Sequence, residues 1–236
     1  MQQQFYRTSI LLDEATLDYL AEKHIVIAGV GGVGGAVVEA IARGGVGKIT
    51  LIDNDVVDIT NINRQLIATL SNVGKPKVEL FLSRIKSINP QCEVVVLQTF
   101  LNKDNLSALI PSDADYVIDC IDTVPSKIAL ISYCIHNKLN VVSSMGAGNR
   151  YDVTKIKLAD ISKTKMCSLA RIIRLELKKQ RIIKGVMVVY SEEPGRMPLV
   201  QNNGLRPING TISYLPPLFG LMLSGYVLKH LIDNRQ

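Results

Sequence analysis

At 236 residues, 47% of them hydrophobic, the chain suits one sizeable domain with an ample core that folds alone. Its net charge of +6 is compatible with a polyanionic partner without identifying one. Four cysteines without a CxxC pair exclude a disulfide framework and a structural zinc and point to a reducing cytoplasm, and the opening residues 1–7 lack the apolar core of an export signal.

A short helix over 12–23 precedes an apolar strand over 25–28, which breaks into Gly29, Gly31, Gly32 and Gly34, with Val33 among them, before a helix resumes over 36–43. Strand, glycines and helix in this order predict a phosphate cradle. Gly29 permits the turn, Gly31 and Gly32 let backbone N–H groups approach phosphate oxygens, and Gly34 allows close helix–strand packing. The helix N-terminus adds partial positive charge. The next strand, 49–52, ends in Asp53, about 20 residues past the glycines, where a ribose hydroxyl is held.

A polar loop over 54–66 follows, carrying Asp55, Asp58, Asn61 and Arg64, and Lys77 opens a helix over 77–88. Asp55 and Asp58 read equally well as turn residues or as ligands. A strand over 94–97, a helix over 105–110 and a strand over 116–119 lead to Asp122, a carboxylate suited to an ion such as Mg²⁺. Asp119 can instead be structural. A helix over 126–137 and a strand over 141–144 complete the βαβα alternation of a doubly wound, mainly parallel α/β sheet. Ligands of such sheets bind beyond the carboxyl ends of the strands, so the glycine loop, Asp53 and the segment after Asp119 should share one crevice. Spacing alone does not separate a dinucleotide from ATP. Arg64, Lys77 and Asp122 favour ATP, because a triphosphate that loses pyrophosphate needs cations and a metal.

Residues 24–150 thus form a Rossmann-like nucleotide-binding half of a single domain spanning 1–236, and residues 151–236 a C-terminal extension. After the turn at 145–148 come a strand over 156–161 and a helix from 168 to about 181. Leu169, Ile172, Ile173 and Leu177 share one side of that helix, and Arg171, Arg174, Lys178 and Arg181 line the other, facing either solvent or a nucleic-acid backbone. A strand over 186–191 precedes a loop over 192–210, too long for a plain connection and therefore disordered or a functional lid. The apolar run 214–232 contains Pro216, Pro217, Lys229 and His230, which favour a buried helix over a membrane span. Cys120 is expected to be buried, Cys167 to be an accessible thiol, and the three histidines to be structural.

The glycine loop, Asp53, Asn61-Ile62-Asn63-Arg64-Gln65, residues 74–79 and Asp119-Cys120-Ile121-Asp122 together resemble the adenylating enzymes that include ubiquitin-activating enzyme and the activators of sulfur-carrier proteins. The resemblance covers nearly the whole chain. It implies an ATP site formed by Gly29, Gly31, Gly32, Val33, Gly34, Asp53, Asp55, Asn61, Arg64, Lys77 and Asp122. Asp53 would hold the ribose, Arg64 and Lys77 the phosphates, and Asp122 Mg²⁺, while Arg7 would reach the triphosphate from the partner subunit of a homodimer. Arg64, Asp122 and Arg7 are then the catalytic candidates.

Residues 61–65, 133–134, 143–148, 159–164 and 189–194 look like the tRNA threonylcarbamoyladenosine dehydratase branch of that family, which also lacks zinc-binding cysteine pairs. A departure is the segment 165–170, without the Asp-Pro pair usual there. The branch implies a cytoplasmic enzyme that adenylates the carboxylate of threonylcarbamoyladenosine in tRNA and promotes its cyclisation. It also admits a sulfur-relay protein as a further partner. The alternative within the fold is an enzyme that adenylates the C-terminus of a ubiquitin-like sulfur carrier. An NAD-dependent oxidoreductase is a rival of another class, but the sequence offers no convincing hydride-handling acid or base.

Overall fold

A computed structural model describes residues 3–196 and 209–235. The strands are β1 (His24–Ala28), β2 (Lys48–Ile52), β3 (Glu93–Leu97), β4 (Tyr116–Asp119), β5 (Val141–Ser144), β6 (Ile156–Asp160) and β7 (Met187–Ser191). They form one sheet in the order β3-β2-β1-β4-β5-β7-β6. All neighbours are parallel except β6, which pairs antiparallel with β7 at the edge. The runs Ile25-Val26-Ile27 and Val117-Ile118 are fully buried, as parallel strands covered on both faces must be.

Alternation along the strands divides the core. Ile25, Ile27, Ile49, Leu51 and Ile118 face α3 (Gly32–Arg43), α4 (Lys77–Ile88) and α8 (Leu215–Asp233). Val26, Ala28 and Val117 face α5 (Leu106–Leu109) and α6 (Val124–His136). On the β7 side, α7 (Ser168–Lys179) buries Ala170, Ile173 and Leu177 against Val188 and Tyr190.

The apolar C-terminal run is the core helix α8, which buries Phe219, Leu223 and Val227 and packs on α3, with Gly220 against Val33, Ala36 and Val37 and Leu228 against Gly44. Pro216 and Pro217 stand in its first turn, where a missing N–H breaks no helical hydrogen bond.

The expected helix over 12–23 is α2 (Glu14–Ala21), and a further helix not foreseen in the sequence, α1 (Tyr6–Leu12), precedes it. Asp13, at φ 69°, separates them, and its carboxylate accepts the Thr16 amide at 2.7 Å to start α2. Leu20 of α2 reaches the main core, so this helix is not merely an outer layer. Of the predicted long loop 192–210, residues 197–208 lie outside the described residues; Glu193 is buried, and its carboxylate accepts the amides of Tyr151 and Asp152.

β1 and β4 are neighbours although their helices lie on opposite faces, so the strand order reverses between them. Such a reversal opens a crevice at the carboxyl ends of these two strands.

Candidate active site

The floor of that crevice is the glycine loop. The Gly29 amide donates to the carbonyl of Ile52 at 2.8 Å, and its φ of +84° belongs to the region that glycine enters freely. A Cβ at Gly29 would fall 2.9 Å from the backbone of Cys120, so the loops after β1 and β4 touch. Gly34 is tighter still, since a Cβ there would lie 1.8 Å from the carbonyl oxygen of Gly29. Gly31 is the N-cap of α3 and has no side chain to cap it. The first-turn amides, those of Gly32, Val33 and Gly34, therefore keep the free donors that helix starts offer to anions.

Asp53 follows β2 directly and braces this loop. Its Oδ2 accepts the Val30 amide at 2.7 Å and its Oδ1 the Asp55 amide at 2.8 Å. Each carboxylate oxygen has a second lone-pair direction, so a ribose diol can still be accepted. Burial raises the pKa of Asp53 above its ordinary value, against the opposing pull of the Val30 and Asp55 amides and of Lys77. A raised value means that protonation, and loss of the acceptor, comes earlier on acidification. We expect adenine-nucleotide affinity to fall with decreasing pH at a midpoint above 3.8, and to stay flat over that range in Asp53→Asn. Calorimetric titration of AMP across the pH series checks this, and an unchanged slope in the variant would assign the titration to another group.

The loop from 54 to 66 is built by its own polar side chains. Asp58 caps a 3₁₀ turn (Ile59–Asn61), accepting the Thr60 amide, while Asn61 is buried and its Oδ1 accepts the Asp58 amide at 3.2 Å. The Asn61 carbonyl then accepts the amides of Arg64 and Gln65. Asn61 thus shapes the turn that carries Arg64. Arg64 is half-buried and makes no ion pair among the described residues; its Nη1 donates to the Thr60 carbonyl and to Asn63 Oδ1, both at 2.9 Å. A Cβ on Gly32 would meet the Arg64 carbonyl oxygen at 3.4 Å and its Cγ at 3.5 Å, which sets this cation beside the N-terminus of α3.

Lys77, buried at the start of α4, gives one ammonium proton to Asp55 Oδ2 at 2.7 Å, and its backbone amide bonds the Asp55 carbonyl at 3.1 Å. The exposed Asp55 is therefore the counter-ion of Lys77, whose other protons remain to be shared.

Asp122 is exposed and makes no ion pair among the described residues; Thr123, not Asp122, is the N-cap of α6. It stands two residues past Cys120, the residue against Gly29. The glycine loop thus meets Arg64 at Gly32 and the segment leading to Asp122 at Gly29. Among the described residues no three His, Cys, Asp or Glu side chains cluster as a metal site. A single carboxylate outside any ion pair is nonetheless the donor set Mg²⁺ uses when phosphates and water complete its shell.

Arg7 is not brought to this crevice within one chain. It lies in α1, two residues from Phe5, whose ring approaches Gly45 just past the far end of α3. Twelve helical residues separate that end from the glycine loop, about 18 Å at 1.5 Å per residue.

The basic face of α7 is less uniform than its periodicity suggests. Arg171 and Lys178 are exposed on it, and Arg181 is exposed but lies beyond the end of α7 at φ 64°, so it does not line the helix; Arg174 is half-buried, and its Nη1 bonds Thr164 Oγ1 at 2.5 Å and the Thr164 carbonyl at 3.1 Å. Arg174 fastens α7 to the segment before it. Ile172, placed on the apolar side by the wheel, is 46% exposed. Cys167 is also corrected: it is buried with Ile131, Met145 and Tyr190 rather than accessible. All four cysteines are free, and burial pushes the Cys92 thiol up to about 11 and Cys134 to about 12.

Two cavities flank the first turn of α8. One, of about 340 Å³, is lined by Gly32, Asn63, Arg64, Gln65 and Leu221 and adjoins the site. The larger, about 800 Å³, lies among Tyr151, Lys155, Tyr214 and Leu218, away from the glycine loop. The first has the stronger link to the chemistry, because it touches the α3 N-terminus and the phosphate-facing candidate Arg64.

Sequence reasoning passed over Lys127. It is fully buried and paired with Asp119 at 2.6 Å. Its signal was a charge in an otherwise apolar i, i+3, i+4, i+7 row with Leu130, Ile131 and Cys134.

A doubly wound sheet with a glycine loop at its reversal point, an arginine beside that loop and an exposed carboxylate two residues past its other contact define a nucleotide-binding α/β protein. The model of the ThiF family matches residues 6–236, and the chain belongs to that family. It is 39% identical over 248 aligned residues to the tRNA threonylcarbamoyladenosine dehydratase of Bacillus subtilis, covering 99% of this chain and 96% of the relative. The crystal structure of the Escherichia coli tRNA N6-threonylcarbamoyladenosine dehydratase in complex with ATP superposes with a TM-score of 0.90 at 38% identity, covering 98% of this chain and 94% of that one. Molybdopterin-synthase adenylyltransferase of Escherichia coli is a more distant relative, 36% identical over 52% of this chain and 49% of its own length.

Proposed function

We propose that the chain is an ATP-dependent tRNA threonylcarbamoyladenosine dehydratase, which adenylates the carboxylate of that nucleoside and promotes its cyclisation with loss of water. The observation that carries this reading is that Arg64 lies against Gly32 and Cys120, two residues before Asp122, against Gly29 of the same glycine loop, in a chain similar over nearly its whole length to dehydratases of this name.

A carboxylate is a poor electrophile because its oxygen leaves only as oxide. Attack of that carboxylate on the α-phosphorus of ATP expels pyrophosphate and leaves an acyl-adenylate, whose AMP departs readily when a nucleophile within the same modification closes the ring. The chain need supply no covalent nucleophile; it positions and neutralises. Asp53 accepts the ribose hydroxyls, and the α3 amides, with Arg64 and Lys77, oppose the negative charge that builds on the phosphates. Asp122 would hold Mg²⁺, whose chemistry when bound is to neutralise phosphate oxygens.

Arg7, stranded at the far end of α3, fits the role of a cation delivered by the partner subunit of a homodimer. The exposed cations Arg171, Lys178 and Arg181, with Lys163, Lys165 and Lys184 nearby, fit the backbone of a tRNA substrate, and a cytoplasmic enzyme is the reading that goes with that substrate.

The test is mass spectrometry of tRNA nucleosides after incubation with protein, ATP and Mg²⁺. The expected result is loss of the threonylcarbamoyladenosine peak and gain of one lighter by a water. An unchanged peak, together with pyrophosphate exchange driven by a ubiquitin-like sulfur carrier, would move the chain to the adenylyltransferases of such carriers.

A further inference from the structure

We propose that Lys127 is a positioning residue for the adenylation site, acting through Asp119 to hold the loop that carries Asp122. Both side chains have no solvent exposure. The Lys127 ammonium donates to Asp119 Oδ2 at 2.6 Å, to the Ser144 carbonyl at 2.9 Å and to Ser143 Oγ at 3.2 Å, which uses all three of its protons. Asp119 Oδ2 also accepts the Ser143 hydroxyl at 2.6 Å, and its Oδ1 accepts the Ile121 amide at 3.1 Å.

Fold stability does not account for this arrangement. A buried ion pair loses so much hydration that apolar side chains of similar volume are often as stabilising. What an apolar pair cannot do is fix directions. The network joins the end of β4, the end of β5 and the first turn of α6, and residues 120–126, with Asp122 among them, span the interval between its two charges. One anchor, the Ile121 amide, is the residue before Asp122; on the other side, Cys120 lies against Gly29. The pair therefore sets how far Asp122 stands from the glycine loop.

This inference rests on the reading that the Asp122 carboxylate serves the metal-bound phosphates, and the experiment separates the two. The double variant Asp119→Asn/Lys127→Met removes both charges, so neither is left buried alone, and it is compared with Asp122→Asn. Three quantities are read: AMP affinity, the Mg²⁺ concentration for half-maximal ATP binding, and amide hydrogen exchange. In the double variant AMP affinity is expected to stay within about 2-fold, the Mg²⁺ requirement to rise about 10-fold, and amides of 120–124 to exchange about 10-fold faster while those of β1 stay protected. Asp122→Asn should raise the Mg²⁺ requirement without loosening the loop.

A double variant with an unchanged Mg²⁺ requirement beside a raised one in Asp122→Asn would reduce the pair to a structural element. An unchanged requirement in both would remove the metal role of Asp122, and the positioning role with it. Should the double variant fail to fold, Ser143→Ala keeps the ion pair but deletes one bond to each partner, and the same three readings apply, with smaller shifts expected.

Discussion

Arg64→Ala is expected to lower ATP-dependent pyrophosphate release by about 10²- to 10³-fold, the scale found when one preorganised donor is removed from charge developing in a transition state. AMP lacks the departing phosphates, so its affinity should change little. Arg64→Lys should recover only part of the rate, because an ammonium keeps the charge but not the planar fork of donors. The side chain also ties its own loop together through Thr60 and Asn63, so thermal stability must be followed in parallel. Equal losses of AMP binding and of stability would make Arg64 a loop tether and leave the phosphate cation to Lys77. Stopped-time pyrophosphate assays with AMP titration decide between the two.

Gly34→Ala carries a large expected effect on the fold. Its methyl group would occupy the space of the Gly29 carbonyl, 1.8 Å away, and backbone cannot rotate aside as a flexible side chain can. Either α3 withdraws from β1 or the glycine loop distorts, at a cost of about 3–5 kcal/mol. Gly225→Ala is the control, a glycine in α8 where an added methyl would meet nothing within 4 Å, and it should stabilise the helix by about 0.5–1 kcal/mol. Urea denaturation measures both. Equal midpoints for the two variants would show that the close approach of α3 to Gly29 relaxes freely.

Where the periodicity was strong and the packing local, residues announced their structure. The helix at 77–88 and the strands at 116–119 and 141–144 begin and end as their sequence patterns predict, because each is bounded by a charge or turn residue and buried along its apolar row. The glycine loop and Asp53 were legible for the same reason: their spacing is dictated by one turn and one strand.

What stayed hidden depended on distant partners. Nothing near Arg174 announces Thr164 as its anchor. Cys167 looked accessible because its neighbours in sequence are polar, whereas its neighbours in space are Ile131, Met145 and Tyr190. Asp55 was balanced between turn and ligand until Lys77 was seen to reach it from 22 positions away. Sequence spacing reports neighbours along the chain, and an ion pair formed across the sheet edge is invisible to it.

The packing of α8 on α3 bears on how the molecule is made. During synthesis the strands through β7 leave the ribosome before Leu215–Asp233, so the flank of α3 bearing Val33, Ala36 and Val37 emerges uncovered. Until the final helix docks, that greasy stripe is open to chaperones and to other nascent copies. Competence to bind nucleotide should accordingly arrive only once Leu215–Asp233 has emerged, rather than when the glycine loop first does.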